Sequence, residues 1–129
     1  MRARDVHAAT DVTGFGLLGH LRNLLRQSGV AAVIDAGSVP VIAGIEALAL
    51  DGHVPGGSRR NRDDLSADVS FAPGVPEATR MILCDSQTSG GLLIAAPEDV
   101  TREIATELGD VAWEIGRVES GAPGSIEVR

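Results

Sequence analysis

The sequence contains no lysine; all eleven of its basic residues are arginine. A Walker-type loop, which places a lysine against the phosphates, is therefore excluded, and so is Schiff-base chemistry on a lysine amine. Aromatic residues make up only 2% of the chain, with no tyrosine, two phenylalanines and one tryptophan. The core must then be built from Leu, Ile, Val and Ala, and no series of stacking platforms for nucleic-acid bases is visible. The single cysteine, Cys84, rules out an internal disulfide and fits a reducing compartment. No apolar run reaches membrane-spanning length and no signal peptide is evident, so a soluble, cytoplasmic protein is expected.

What is present suits one folded domain. The chain has 129 residues, 43% hydrophobic and 22% charged, which is enough apolar material for a core. A net charge of −7 argues against a general nucleic-acid or membrane-surface binder. The charge is uneven. Residues 1–62 hold seven arginines and five acids, a balance of +2, whereas residues 63–129 hold four arginines and thirteen acids, a balance of −9. A locally basic surface on an acidic chain suits a small anionic ligand better than a polymer.

Val6–Ala9 reads as a short strand. A helix is expected over about Gly14–Gln27, because Leu17, Leu18, Leu21, Leu24 and Leu25 form one apolar face with Arg22, Asn23 and Arg26 opposite. Thr13 is its expected N-cap and Gly29 its stop. Val30–Ile34 reads as a strand, Ile42–Leu50 and Ser58–Leu65 as helices, and Val69–Phe71 as a strand. Pro76–Leu83 reads as a helix opened by proline. Leu92–Ala96 reads as a buried strand, and Pro97–Leu108 as a helix with acids in its first turn. Val111–Val118 and Ser125–Val128 read as two strands joined by a Gly/Pro turn. The mixture implies an α/β or α+β fold.

Three polar loops could carry chemistry. Thr10-Asp11-Val12-Thr13-Gly14-Phe15-Gly16 places a strand, a glycine loop and a helix N-terminus in series. That arrangement binds phosphate through free backbone N–H groups and the positive end of the helix. Asp11 cannot bind phosphate directly, but a carboxylate beside phosphate suits a Mg²⁺ ligand. Pro55-Gly56-Gly57-Ser58-Arg59-Arg60-Asn61 reads as an anion nest. Asp85-Ser86-Gln87-Thr88-Ser89-Gly90-Gly91 is denser in hydrogen-bonding groups than a turn needs. Each loop taken alone also looks like an ordinary turn or connector. His7, His20 and His53 show no metal-ligand spacing; His7 falls near the first loop and His20 reads as structural. Cys84 reads as a buried, inert thiol and Trp113 as a core residue.

Taken together and in order, the three loops are specific. The segment His7–Leu21 resembles the signature of the selenophosphate synthetase (selenide, water dikinase) family. Val54–Asn61 resembles that family's P-G-G-T-x-x-N loop, with Ser58 in place of threonine. Leu83–Leu93 resembles its L-C-D-P-Q-T-S-G-G-L-L segment, with Ser86 in place of proline. Ile115-Gly116-Arg117-Val118 fits as well, so the likeness spans the chain.

The resemblance implies the C-terminal domain of the aminoimidazole-ribonucleotide-synthetase (PurM-like) superfamily, with a mixed sheet packed against helices. Residues 1–129 are then one such domain, and the N-terminal half of the family is not in the sequence. That half carries the catalytic cysteine or selenocysteine, an adjacent lysine, the nucleotide glycine loop and further metal-binding aspartates. The family makes selenophosphate from selenide and ATP, releasing AMP and phosphate, and is typically a homodimer. Carried over by motif, Asp11 is a Mg²⁺ ligand. Thr10, Thr13, Gly14, Gly16, Gly56, Gly57, Ser58 and Asn61 face phosphate or nucleotide, Asp85, Gln87, Thr88 and Ser89 are further loop contacts, and no catalytic residue is assigned. ATP and Mg²⁺ are shared with the N-terminal domain, so this chain alone is expected to be inactive. Another ATP-dependent member of the superfamily and a non-catalytic, self-associating domain are the competing readings.

Overall fold

A computed structural model describes residues 6–129. The segment Met1-Arg2-Ala3-Arg4 lies outside the described residues. The elements in chain order are β1 (Ala8–Asp11), α1 (Gly16–Ser28), β2 (Ala31–Ile34), α2 (Ile45–Leu50), α3 (Gly56–Leu65), β3 (Val69–Phe71), α4 (Glu77–Leu83), β4 (Leu92–Ala95), α5 (Glu98–Leu108), β5 (Gly116–Glu119) and β6 (Ile126–Val128). They form a two-stranded sheet, β1–β4, and a four-stranded sheet in the order β3-β6-β2-β5. In the larger sheet β3, β6 and β2 run parallel and β5 is antiparallel to β2. The mixed sheet with packed helices expected from the sequence is therefore present.

β2 occupies the interior of its sheet because its side chains are apolar on both faces. All four residues, Ala31-Ala32-Val33-Ile34, are buried. α1 lies against this sheet and buries Leu18, Leu21 and Leu25, which join Ile34, Leu65, Leu83, Ile126 and Val128 in one core. Complete burial of a leucine such as Leu18 or Leu25 contributes about 1.5–3 kcal/mol. α1 stops where Gly29 turns left-handed, at φ 70°. Proline opens α3, α4 and α5 from the N-cap position, at Pro55, Pro76 and Pro97.

Several expectations need correction. The first strand is Ala8–Asp11 rather than Val6–Ala9, because its pairing with β4 runs from Ala8 opposite Ala95 to Asp11 opposite Leu92. Thr10 and Asp11 thus end a strand instead of starting a loop. Thr13 does not cap α1: the N-cap position is Phe15, and no side chain caps it. The residues before Gly116 do not extend a strand; Gly109–Val111 forms a 3-10 turn. β5 and β6 are not a hairpin either, since β2 lies between them and pairs with both. β4 is not buried: Leu92 is 62% exposed, and among the described residues the strand has only β1 beside it. Trp113 is 55% exposed rather than core. α5 buries no residue, and a largely apolar cavity of about 530 Å³ lies among Leu17, Ile45, Ile82, Leu93, Ile104 and Leu108.

Arg22, expected opposite the apolar face of α1, is held by Asp64 (2.7 Å) and Asp68 (3.4 Å), and Asp68 also takes Arg26 (2.8 Å). Arg62 pairs with Glu77. The basic half of the sequence is thus partly neutralised by acids from the other half. Arg59 and Arg60 remain exposed beside the second glycine loop.

Candidate functional site

The three polar loops, far apart in sequence, are joined into one cluster by hydrogen bonds. The first and third loops meet along their backbones. Val12 N donates to Gly91 O (2.9 Å), Gly90 N to Val12 O (3.0 Å) and Gln87 N to Thr13 O (3.0 Å). The contact is close enough that a Cβ on Gly90 would lie 2.4 Å from Val12 O. Gly16 sits equally tight. At φ +70°, a Cβ there would lie 2.7 Å from both the Cys84 and Asp85 carbonyl oxygens. Its missing side chain makes room for the third loop, not for a ligand as the sequence suggested.

The second loop supplies the side chains that lock the cluster. Asn61 Nδ2 donates to Gly14 O (2.9 Å) and to Cys84 O (3.1 Å), joining all three segments through one amide. Ser58, fully buried, donates from Oγ to Asp85 Oδ1 (2.5 Å) and accepts from Ser86 N (3.1 Å). Gln87 Nε2 reaches the other Asp85 oxygen (3.2 Å). Ser58, Asn61, Asp85 and the Gln87 amide are therefore committed to one another and to the backbone. Ser58 and Asn61 had been expected to offer donors outward.

What the cluster leaves open is polar and anion-ready. Gly56 and Gly57 form the first turn of α3, which has no side-chain cap. The first N–H groups of a helix have no intrahelical acceptor and carry its positive dipole end. Arg60 curls over this turn, its Nη1 within 3.4 Å of where a Cβ on Gly56 would sit. Gly14, Thr88 and Ser89 are exposed, while Thr10 and Thr13 are half-buried. Thr10 Oγ1 donates to Asp11 O (3.1 Å), and Thr13 Oγ1 lies 3.1 Å from His20 Nε2.

Asp11 is exposed at the end of β1, and among the described residues its carboxylate takes part in no hydrogen bond or ion pair. No group of three His, Cys, Asp or Glu side chains that could hold a metal occurs among the described residues. One open carboxylate fits a Mg²⁺ ion that completes its shell with phosphate oxygens, water and groups from elsewhere. It does not make a metal site by itself.

Cys84 is fully buried, as expected, and burial pushes its thiol up to about 11. Such a thiol is neutral near pH 7 and a poor nucleophile. His7 is exposed beside β1, and His53 is exposed in the loop before α3. The sequence reading missed His20, whose partner Thr13 lies seven positions away in a non-helical segment, beyond any helical spacing rule. It also missed the carbonyls of Gly14 and Cys84, which no residue-type pattern reveals.

Comparison with known proteins shows the family. A family model described as "AIR synthase related protein, C-terminal domain" matches residues 1–129. The chain is similar to the selenide, water dikinase of Pseudomonas straminea, 42% identical over 122 residues, covering 92% of this chain and 34% of that protein. It is similar to the selenide, water dikinase of Nitratidesulfovibrio vulgaris, 40% identical over 131 residues, covering 99% of this chain and 37% of that protein. The chain thus spans about a third of the length of these relatives. Among solved structures, a hydrogenase maturation protein HypE matches with a TM-score of 0.60 at 20% identity, over 95% of this chain and 33% of that one. The HypE complex with ATP matches with a TM-score of 0.59 at 20% identity, over 96% and 32%. At this identity the structures speak for the fold alone. The chain belongs to the family of AIR synthase related C-terminal domains, and it is similar in sequence to selenide, water dikinases.

Proposed function

We propose that this chain supplies the phosphate- and magnesium-facing loops of a selenide, water dikinase, a phosphotransferase that makes selenophosphate from selenide and ATP. The observation that carries the reading is the convergence of the three motif loops. Asn61 ties Gly14 to Cys84 and Ser58 ties α3 to Asp85, with the open carboxylate of Asp11 at the edge.

Phosphoryl transfer calls for neutralisation of charge on the phosphate oxygens and for in-line positioning. Magnesium, when bound, supplies the neutralisation. Asp11 holds its share of the ion. Thr10, Thr13, Gly14, Gly56 and Gly57 line the approach of the phosphates, with Thr88 and Ser89 at its rim, while Gly16 lets the third loop pack against the start of α1. Ser58, Asn61, Asp85 and Gln87 keep the loops at fixed separation, so that no ordering cost falls on the ligand. Selenide, the nucleophile and the remaining metal-binding carboxylates belong to a further domain, through which a homodimer would form. No helix among the described residues is long and apolar enough to cross a membrane, which is compatible with a cytoplasmic enzyme.

The test is a thermal-shift and calorimetric titration of the purified chain with Mg-ATP. Wild type is expected to be stabilised by the nucleotide in a magnesium-dependent way. Asp11→Asn, which removes a charge from an exposed site, is expected to keep the melting temperature of the free chain and lose the shift. An unaltered shift in Asp11→Asn would remove the metal role.

A further inference from the structure

Thr13 stands where a capping hydroxyl is expected, yet α1 receives no side-chain cap. Its Oγ1 lies instead 3.1 Å from His20 Nε2. The Thr13 backbone is held just as firmly, its carbonyl accepting from Gly16 N (3.0 Å) and Gln87 N (3.0 Å). The His20 ring is fixed in turn. It tilts 48° against the Phe15 ring, with centroids 5.4 Å apart. Phe15 lies along Gly19, where a Cβ would come within 2.8 Å of Phe15 Cβ. One residue of the first loop is thus gripped by main chain and side chain while still partly open to solvent, two positions from the exposed Asp11.

A threonine hydroxyl has one proton to give and two lone pairs to accept with, and a neutral imidazole has one N–H and one bare nitrogen. With a bare Nε2, the Thr13 proton would be consumed by the ring. With Nε2 protonated, the hydroxyl accepts from His20 and keeps its own proton to give elsewhere. The tautomer is set by whatever engages the other ring nitrogen. Among the described residues no hydrogen bond involves His20 Nδ1, so no internal acceptor draws the proton there.

We propose that His20 is a positioning residue: its Nε2–H donates to Thr13 Oγ1 and leaves the Thr13 hydroxyl proton for an anionic oxygen bound at the first loop. The inference rests on the phosphate-facing reading of that loop. It assigns His20 a task beyond the structural one its place on α1 suggests, and it explains why a hydroxyl beside a helix start is withheld from capping.

Two measurements test it. Imidazole ¹⁵N spectra of the wild-type chain, assigned with His7→Asn and His53→Asn variants, report the tautomer without perturbing His20. The expected result is a protonated Nε2 both with and without Mg-ATP; a bare Nε2 overturns the proposal. Calorimetric titration with Mg-ATP then compares wild type with His20→Gln, His20→Phe, Thr13→Val and the double variant of the last two. His20→Phe keeps the ring against Phe15 but has no N–H, whereas Gln can place an amide N–H near Nε2. His20→Phe and Thr13→Val are each expected to weaken binding on the order of tenfold, the size of one hydrogen bond to a charged group. The double variant should be no weaker than either, and His20→Gln should stay near wild type. Wild-type affinity in His20→Phe, or additive losses in the double variant, overturns the coupling while leaving the phosphate reading in place. A wild-type chain that shows no response to Mg-ATP overturns the phosphate reading and the use of the freed proton; the spectra still decide the His20–Thr13 contact.

Discussion

Ser58 shows how little freedom individual residues of the cluster have. Its hydroxyl gives its proton to Asp85 and takes one from Ser86 N, and no part of the residue is exposed. Replacement by alanine leaves a carboxylate oxygen and a backbone N–H without these partners. Chemical unfolding of Ser58→Ala is expected to show a loss of about 1–3 kcal/mol, the desolvation penalty of unsatisfied polar groups. Cys84 behaves in the opposite way: it is inert because it is dry. Its raised pKa favours the neutral thiol in the folded chain, so the unfolded chain gives up its proton first as pH rises. Stability should therefore fall with pH above the ordinary thiol range and level off beyond about 11. Thiol reagents at pH 8 are expected to label Cys84 only after denaturant is added. Glu77 gives the acid-side counterpart. Its hydrogen bond to Arg62 lowers its pKa, so the pair contributes above the ordinary glutamate range and its contribution is lost as pH falls through the lowered value. Glu77 is exposed and the effect small, and a comparison of Glu77→Gln with wild type at pH 7 and at pH 3 should show the difference shrink in acid.

At the scale of elements, α1 was legible because its period is strong. Leu17, Leu18, Leu21, Leu24 and Leu25 were assigned to the apolar face; Leu18, Leu21 and Leu25 are buried, and Leu17 and Leu24 are half-buried. Leu18→Ala and Leu25→Ala are each expected to cost about 2–5 kcal/mol in unfolding experiments, since both sites are fully buried. The start of the helix is set by something no helical pattern contains. Gly16 has a left-handed backbone and packs on the Cys84 and Asp85 carbonyls, so a methyl group there meets main-chain atoms that cannot swing away. Gly16→Ala is expected to destabilise by about 1–3 kcal/mol and to disturb the third loop, seen as shifted amide resonances at Cys84–Gln87. The short strands were less legible. β5 and β6 look like a hairpin because a Gly/Pro turn joins them, but pairing is decided by which strand is apolar on both faces. That strand is β2, which takes the place between them. Trp113 misled for a related reason: a large apolar residue near a strand reads as core, yet 112–115 forms no strand that could carry it inward.

For the whole molecule, the proposed dikinase function implies a site shared with a further domain. The chain spans about a third of the length of its dikinase relatives, and its described residues contain no metal-holding cluster. The isolated chain is therefore expected to form no AMP from ATP and selenide; AMP production by the purified chain would refute this. The chain also keeps a cavity of about 530 Å³ and an outer helix, α5, that buries nothing, so its apolar material is not fully used within the described residues. Composition and local pattern determined much by themselves. The absence of lysine excluded one class of phosphate site, the leucine period defined α1, and the order of three glycine-bearing loops pointed to one family. These are properties of neighbouring residues, and local chemistry suffices to state them. Only the tertiary structure decided which polar residues of those loops are free. A serine, an asparagine and an aspartate look alike in sequence whether they face a ligand or each other. Burial and the three-dimensional meeting of Ser58 with Asp85, and of Asn61 with Gly14 and Cys84, separate the residues that hold the three loops together from the exposed Asp11, whose carboxylate has no partner among the described residues.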